Sequence, residues 1–247
     1  MKTKKGMINA VSILIFAIGI LVGTILVAIT AWGDLEAAMF DTTVKADGSI
    51  SFLNCPVMMT TSEISTVSAS FTSTHVRPIE RRVRIHISDG HLTLMREEKA
   101  SLPMAPGKTE KISWVVSPED AAFDQWILVR VYMFPSVTLS SKDGTCGILV
   151  IDSPYLTGSQ ILIAGYTTSL LFMAIGLALW SHNNKPLNIK HNSTLRGLFF
   201  LAGNTVIGMI VSYLGWFLFG IISIALTLIL AFNLSTHSKS DPTNAGR

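Results

Sequence analysis

The sequence predicts a membrane α-helical bundle of four transmembrane helices, with an all-β, two-sheet domain inserted between helices 1 and 2. Three observations carry this expectation: four long apolar runs, a polar middle segment with a two-residue hydrophobic period, and an uneven placement of Lys and Arg. With 49% hydrophobic and only 14% charged residues, the 247-residue chain is too apolar for an ordinary soluble domain.

The apolar runs are Met7 to Trp32, Leu156 to Trp180, Leu195 to Tyr213 and Gly215 to Leu234. About 20 apolar residues, rising about 1.5 Å each, cross about 30 Å of hydrocarbon. The first two runs exceed that length. From Gly197 to Leu234 the chain is one apolar stretch, interrupted chiefly at Asn204, Thr205, Ser212 and Tyr213. As a single helix it would measure roughly 57 Å, beyond any bilayer, so it has to fold back. The turn is expected at Ser212 to Trp216, where Gly215 can take the positive φ of a tight reversal. Three spans with a re-entrant segment are the alternative. Trp32, Tyr155, Trp180, Tyr213 and Trp216 then fall in the interfacial aromatic belts. The first run is read as a retained anchor, because a cleaved signal has an apolar core of only about 7–15 residues.

Charge sets the expected sidedness. Residues 33–155 hold 11 Lys/Arg against 15 Asp/Glu, a net −4. The rest of the chain holds 8 Lys/Arg against Asp241 alone, a net +7. Short loops that stay in the cytoplasm collect Lys and Arg. Both termini and the Ser181 to Thr194 loop are therefore expected inside, and residues 33–155 outside, in a cell (plasma or inner) membrane. The expected domains are 1–32, the cytoplasmic N-terminus with helix 1; 33–155, the extracytoplasmic β domain; and 156–247, helices 2–4 with a short loop and tail. Asn192-Ser193-Thr194 and Asn233-Leu234-Ser235 match the glycosylation pattern but fall on the inner side, so neither is expected to be used.

In the middle segment Val67, Ala69 and Phe71 alternate with Ser68, Ser70 and Thr72, Val83, Ile85 and Ile87 alternate with Arg82, Arg84, His86 and Ser88, and Ile112, Trp114 and Val116 repeat the two-residue period. Trp126 to Phe134 is apolar on both faces except at Arg130, as a central strand is, and Cys146 to Ile151 is the last strand. Breakers separate these runs, with Asp89-Gly90 the strongest hairpin signal. Seven or eight short strands are expected. The pattern resembles an immunoglobulin-like sandwich, most of all in Pro106-Gly107 followed by Ile112-Ser113-Trp114-Val115-Val116. The resemblance covers about half the chain and implies architecture only, since such sandwiches host unrelated roles. The cysteines depart from the antibody pattern by lying near the first and last strands.

Cys55 and Cys146 both fall in the outward segment, where an oxidising environment favours a disulfide. Two free buried thiols are the alternative. A soft-metal reading of Cys55-Pro56-Val57-Met58-Met59 competes with the available partner Cys146 and with methionine as core filler.

No catalytic site, cofactor or metal is expected. Gly-x-Ser-x-Gly, His-Glu-x-x-His, P-loop and Gly-x-Gly-x-x-Gly patterns are missing. The six histidines lie outside the spans; His86 and His91 flank the Asp89-Gly90 turn and read as solvated hairpin residues rather than ligands. Arg77, Arg81, Arg82 and Arg84 form a basic patch for an anionic partner or lipid headgroups, or else a solvated strand face. Nucleic acid is not expected as a partner on that side of the membrane.

The apolar runs hold no Asp, Glu, Lys, Arg or His from Met7 to Trp32, Leu156 to Trp180 and Gly197 to Leu234, which argues against an ion pump or proton-coupled carrier. Asn9, Gln160, Asn204, Thr205, Ser223 and Thr227 are placed to hydrogen-bond neighbouring helices. Gly19 with Gly23, and Ala174 with Ala178, are spaced for close helix packing, within the bundle or against another subunit.

The segments expected in the cytoplasm are too short to fold as a signalling or nucleotide-hydrolysing domain. The expectation is a non-catalytic accessory or assembly subunit, with other integral membrane proteins and the lipid bilayer as partners. A stand-alone receptor or adhesion-type module recognising an external peptide, glycan or protein is the alternative, and the external ligand is unknown.

Overall fold

A computed structural model describes residues 2–42, 46–50, 52–73, 75–136, 139–185 and 189–239, with 2–4, 91–93, 189–192 and 235–239 described by backbone alone. Among the described residues lie four helices: α1 (Lys2–Met39), α2 (Gly158–Asn183), α3 (Ile189–Tyr213) and α4 (Phe217–Lys239). Each is long and apolar enough to cross a membrane. The strands all fall between α1 and α2. They are β1 (Gly48–Ser49), β2 (Phe52–Asn54), β3 (Met58–Thr60), β4 (Ser65–Thr72), β5 (Ile79–Asp89), β6 (His91–Met104), β7 (Thr109–Val116), β8 (Trp126–Met133) and β9 (Lys142–Ile151). The chain divides into two compact units, Met1–Ala31 with Leu162–Arg247, and Trp32–Ile161.

In the helical unit, polar side chains bond from helix to helix. The Asn183 and Asn184 side-chain amides both donate to Asn9 Oδ1, at 2.7 and 2.9 Å. Ser169 Oγ donates to the Gly19 carbonyl at 2.7 Å, and the Thr30 and Ser212 hydroxyls lie 2.6 Å apart. Glycine permits the first of these approaches: a Cβ on Gly19 would sit 2.7 Å from the Met173 backbone nitrogen. Gly23 is equally tight, with a Cβ there 2.7 Å from Ser169 Oγ and 2.8 Å from Thr205 Cγ2.

Ala174 and Ala178 do not share this role. Both are exposed, because the helical repeat brings Ser169, Met173, Gly176 and Trp180 to the buried face instead. Gln160 also departs from expectation. Its Oε1 accepts from the Thr157 N–H at 3.0 Å while Thr157 Oγ1 accepts from the Gln160 N–H at 3.3 Å, a reciprocal cap at the start of α2. Thr205 bonds within its own helix, to the Leu201 carbonyl. Between α3 and α4, Gly215 has φ 74°, and the reversal occupies the three residues between Tyr213 and Phe217.

The strands form two sheets. The larger has the order β1-β9-β8-β5-β6, with β3 also pairing β9; the smaller has the order β2-β4-β7. Pairing is mixed: β1 and β3 run parallel to β9, and the other pairs are antiparallel. The alternation in the sequence works out as sidedness. Val67, Ala69, Phe71, Trp114 and Val116 of the smaller sheet share one core with Val83, Ile85, Ile87, Ile127, Val129, Val131 and Ile148 of the larger. Each such side chain contributes about 1.5–3 kcal/mol on burial. A Cys55–Cys146 disulfide joins the β2–β3 connection to β9 across a sequence separation of 91.

Helix α1 does not stop where its apolar run ends at Trp32. Leu35, Glu36, Ala37, Ala38 and Met39 all favour helix, so α1 continues to Met39. The apolar limit marks what hydrocarbon tolerates; it carries no helix stop.

Candidate functional site

Strand β8 presents Ile127, Val129, Val131 and Met133 to the core, and therefore Trp126, Leu128, Arg130 and Tyr132 to the other face of the larger sheet. The end of α1 packs on that second face. Ala37 and Phe40 cluster with Leu128, with Trp126 packed beside them. Two glycines make the approach possible. A Cβ on Gly147 of β9 would overlap the Gly33 carbonyl, and one on Gly33 would overlap the Trp126 ring. Asp34 Oδ1 accepts the Gly147 N–H at 3.3 Å.

Where α1 ends, charge replaces apolar contact. Arg130 Nη1 donates to the carbonyls of Phe40 at 3.0 Å and Asp41 at 2.7 Å, capping the negative end of the helix dipole. Its Nη2 meets Asp143 Oδ2 at 2.5 Å. Asp41, at φ 48°, turns its carboxylate onto His86, with Oδ2 2.6 Å from Nδ1. His86 Nε2 in turn lies 3.7 Å from Glu97 Oε2. Glu97 also meets Lys99 Nζ at 2.8 Å and Arg84 Nη1 at 3.9 Å. The hydrogen bond from Lys99, joined by the positive field of Lys99, His86 and Arg84, holds the Glu97 carboxyl below its usual range. Arg84 stands 5.9 Å from the Tyr132 ring centre and 5.2 Å from that of Phe134.

The four arginines named from the sequence are not one patch. Strand alternation turns Arg81 inward, where it is 4% exposed and donates from Nη2 to the carbonyls of Phe134 at 2.7 Å and Ser140 at 2.9 Å. Burial pushes its guanidinium pKa down. Arg82 and Arg84 share the outer face, and Arg77 is exposed just before β5. Of the four, only Arg82 and Arg77 keep an exposed guanidinium without an ion pair to a described residue.

His86 is not a solvated hairpin residue: it is 7% exposed. The side chains of His91, His191 and His237 lie outside the described residues, as do Lys190, Asn192 and the tail from Ser240. Among the described residues no group of three or more His, Cys, Asp or Glu is placed to hold a metal ion. Sequence reasoning passed over Asp41 and Asp143 as members of this cluster. Its one usable signal was Arg130, a lone cation in an otherwise apolar strand, which implied a built partner. The cluster is a neutralising network, and what it does physically is fix the end of α1 to the sheet.

No protein-family profile matches the chain, and no curated protein sequence does. Solved structures give only distant likenesses. A cycloisomaltooligosaccharide glucanotransferase from Paenibacillus sp. is 12% identical over 45% of this chain, with a TM-score of 0.32, and the match spans 15% of the enzyme. The CARDB domain of a Pyrococcus furiosus protein, in complex with di-metal ions, is 6% identical over 41% of this chain and 90% of its own, with a TM-score of 0.32. A β-glucosidase from Listeria innocua is 12% identical over 40% of this chain and 15% of its own, with a TM-score of 0.27. Likenesses this slight carry no argument about fold or function.

Proposed function

We propose that this is a non-catalytic integral membrane protein, an accessory or assembly subunit of a larger membrane complex. The four apolar helices form its membrane anchor, and the β unit, read as an immunoglobulin-like sandwich, makes protein–protein contacts outside the cell. Both termini lie in the cytoplasm, as the distribution of Lys and Arg supports.

One observation carries the reading. Polar side chains of the helical unit bond to neighbouring helices, as in the Asn9, Asn183 and Asn184 cluster and the Thr30–Ser212 pair. Such bonds tie the four helices into one packed bundle. The stretches Met7 to Trp32, Leu156 to Trp180 and Gly197 to Leu234 hold no Asp, Glu, Lys, Arg or His for ion or proton transfer, which supports a structural rather than a transporting role. Detergent extraction followed by native mass measurement tests it. The expected result is a complex with at least one other membrane protein; a stable monomer with nothing bound sinks the proposal.

A receptor or adhesion role is the second reading, and Phe123 favours it. Phe123 and Asp124 both have positive φ, 52° and 56°, in the turn before β8, and Phe123 is 64% exposed. A strained, exposed aromatic residue suits a contact with a partner. Loss of cell binding to an external ligand on Phe123→Ser substitution, with the chain otherwise monomeric, is the result this second reading expects.

A further inference from the structure

Between helices α3 and α4 lies an open groove of about 880 Å³ whose lining includes Phe200, Ile207, Leu226 and Leu230. Arg196, the first lining residue on α3, and Asn204 also line it. Asn204 is the midpoint of the apolar run Leu195 to Tyr213, so within a bilayer it lies near the centre of the hydrocarbon. Its orientation is fixed. Nδ2 donates to the Ser223 carbonyl at 2.9 Å and to Thr227 Oγ1 at 2.8 Å, and the first of these partners can only accept. Asn204 Oδ1 accepts no hydrogen bond from any described residue. An amide oxygen without a donor costs several kcal/mol in hydrocarbon, where water cannot supply one.

Two further features define the occupant. Gly203, on the groove wall, has open space where a Cβ would point, leaving room for a close approach. Arg196 makes no ion pair with a described residue, and it lies about 12 Å along α3 from Asn204 at about 1.5 Å per residue. A lipid acyl chain would fill the groove but has no donor for Asn204. A second copy brings no acidic residue within its own apolar runs, the one outside 33–155 being Asp241 in the tail beyond Lys239.

We propose that the α3–α4 groove receives a transmembrane helix of a different protein. That helix carries a side-chain N–H or O–H donor opposite Asn204 and an acidic residue near the end that meets Arg196. The inference rests on the accessory-subunit reading and names the chemistry of the partner.

The test places a photo-crosslinking p-benzoylphenylalanine at Ile207 in the groove or at Leu171 on the exposed face of α2, in the full chain in its native membrane. The expected Ile207 adduct is a membrane-spanning peptide with a Ser, Thr, Asn, Gln or other donor side chain within a turn of the crosslink. Gly203→Leu, which fills open space without touching the α3–α4 contacts, should cut the adduct at least about ten-fold, equivalent to about 1.4 kcal/mol of lost affinity. Adducts to lipid alone, or to a second copy of the chain, overturn the proposal, as does an adduct indifferent to Gly203→Leu. A complex that survives extraction but crosslinks from Leu171 and not Ile207 overturns the groove alone. A bare monomer with no adduct overturns the accessory reading beneath it.

Discussion

His86 Nδ1 and Asp41 Oδ2 lie 2.6 Å apart, joining a strand of the larger sheet to the second residue past the end of α1. The two are 45 positions apart in the chain, and both side chains are largely buried. With Arg130 holding the adjacent carbonyls, this pair decides where the chain leaves the helix.

Replacing Asp41 should therefore loosen the β unit. Asp41→Asn keeps a residue that tolerates φ 48° and removes only the charge, so a loss of about 1 kcal/mol is expected. Asp41→Ala removes the acceptor as well and strains the backbone, for about 2–3 kcal/mol. Denaturant unfolding of the full chain in nanodiscs, followed by tryptophan fluorescence, would read both. No loss in Asp41→Asn would sink the argument from charge, and equal losses in the two variants would sink the part assigned to the acceptor and the backbone.

Gly147→Ala should cost about 1–3 kcal/mol, since its Cβ would overlap the Gly33 carbonyl and lift the end of α1 from the sheet. Gly48→Ala is the control: its Cβ meets nothing nearer than Lys142 Cγ at 4.0 Å, and near-neutral stability is expected. Protease sensitivity between α1 and β1 should rise in the first variant only.

Reduction of Cys55–Cys146 should lower the unfolding free energy of the β unit by roughly 4–5 kcal/mol, from the loop entropy returned to the unfolded chain. Unfolding midpoints with and without reductant measure this. Matching midpoints in the disulfide-bonded and reduced proteins would show that the bond does not constrain the unfolded state.

Acid should weaken the Glu97 contacts. Its folded pKa lies below the ordinary 4.5, so its contribution is present above that value and is lost as pH falls through the folded one. Glu97→Gln should flatten the stability profile below about pH 4.5, modestly because the group is exposed. An unchanged acid limb would assign that limb to other carboxylates.

Sidedness can be read with single cysteines at two exposed lysines. In intact cells a membrane-impermeant maleimide should label Lys108→Cys in the β6–β7 turn and leave Lys185→Cys unlabelled until the membrane is opened. The reverse labelling would invert the proposed topology.

Local patterns were readable in advance. The turn at Gly215, the inward-facing Val83, Ile85 and Ile87, and the pairing of the two cysteines all follow from chemistry within a few residues or from having one possible partner. The end of α1 was not readable, because a helix leaving an apolar run keeps no hydropathy signal. The arginine run was misleading for a related reason. Consecutive strand residues face opposite ways, so Arg81 and Arg82 are neighbours in sequence but not on the surface.

By itself, the sequence determined the four apolar helices, the β segment between the first and second, and the strand alternation that gives its core, because periodicity and length are local properties. Only the tertiary structure decided that Asp41 belongs to His86, that Gly147 yields to Gly33, and that Asn204 keeps an acceptor with no donor among the described residues. Those facts depend on which distant segments are brought within a few ångströms, and hydrogen bonds and overlaps act only at that range.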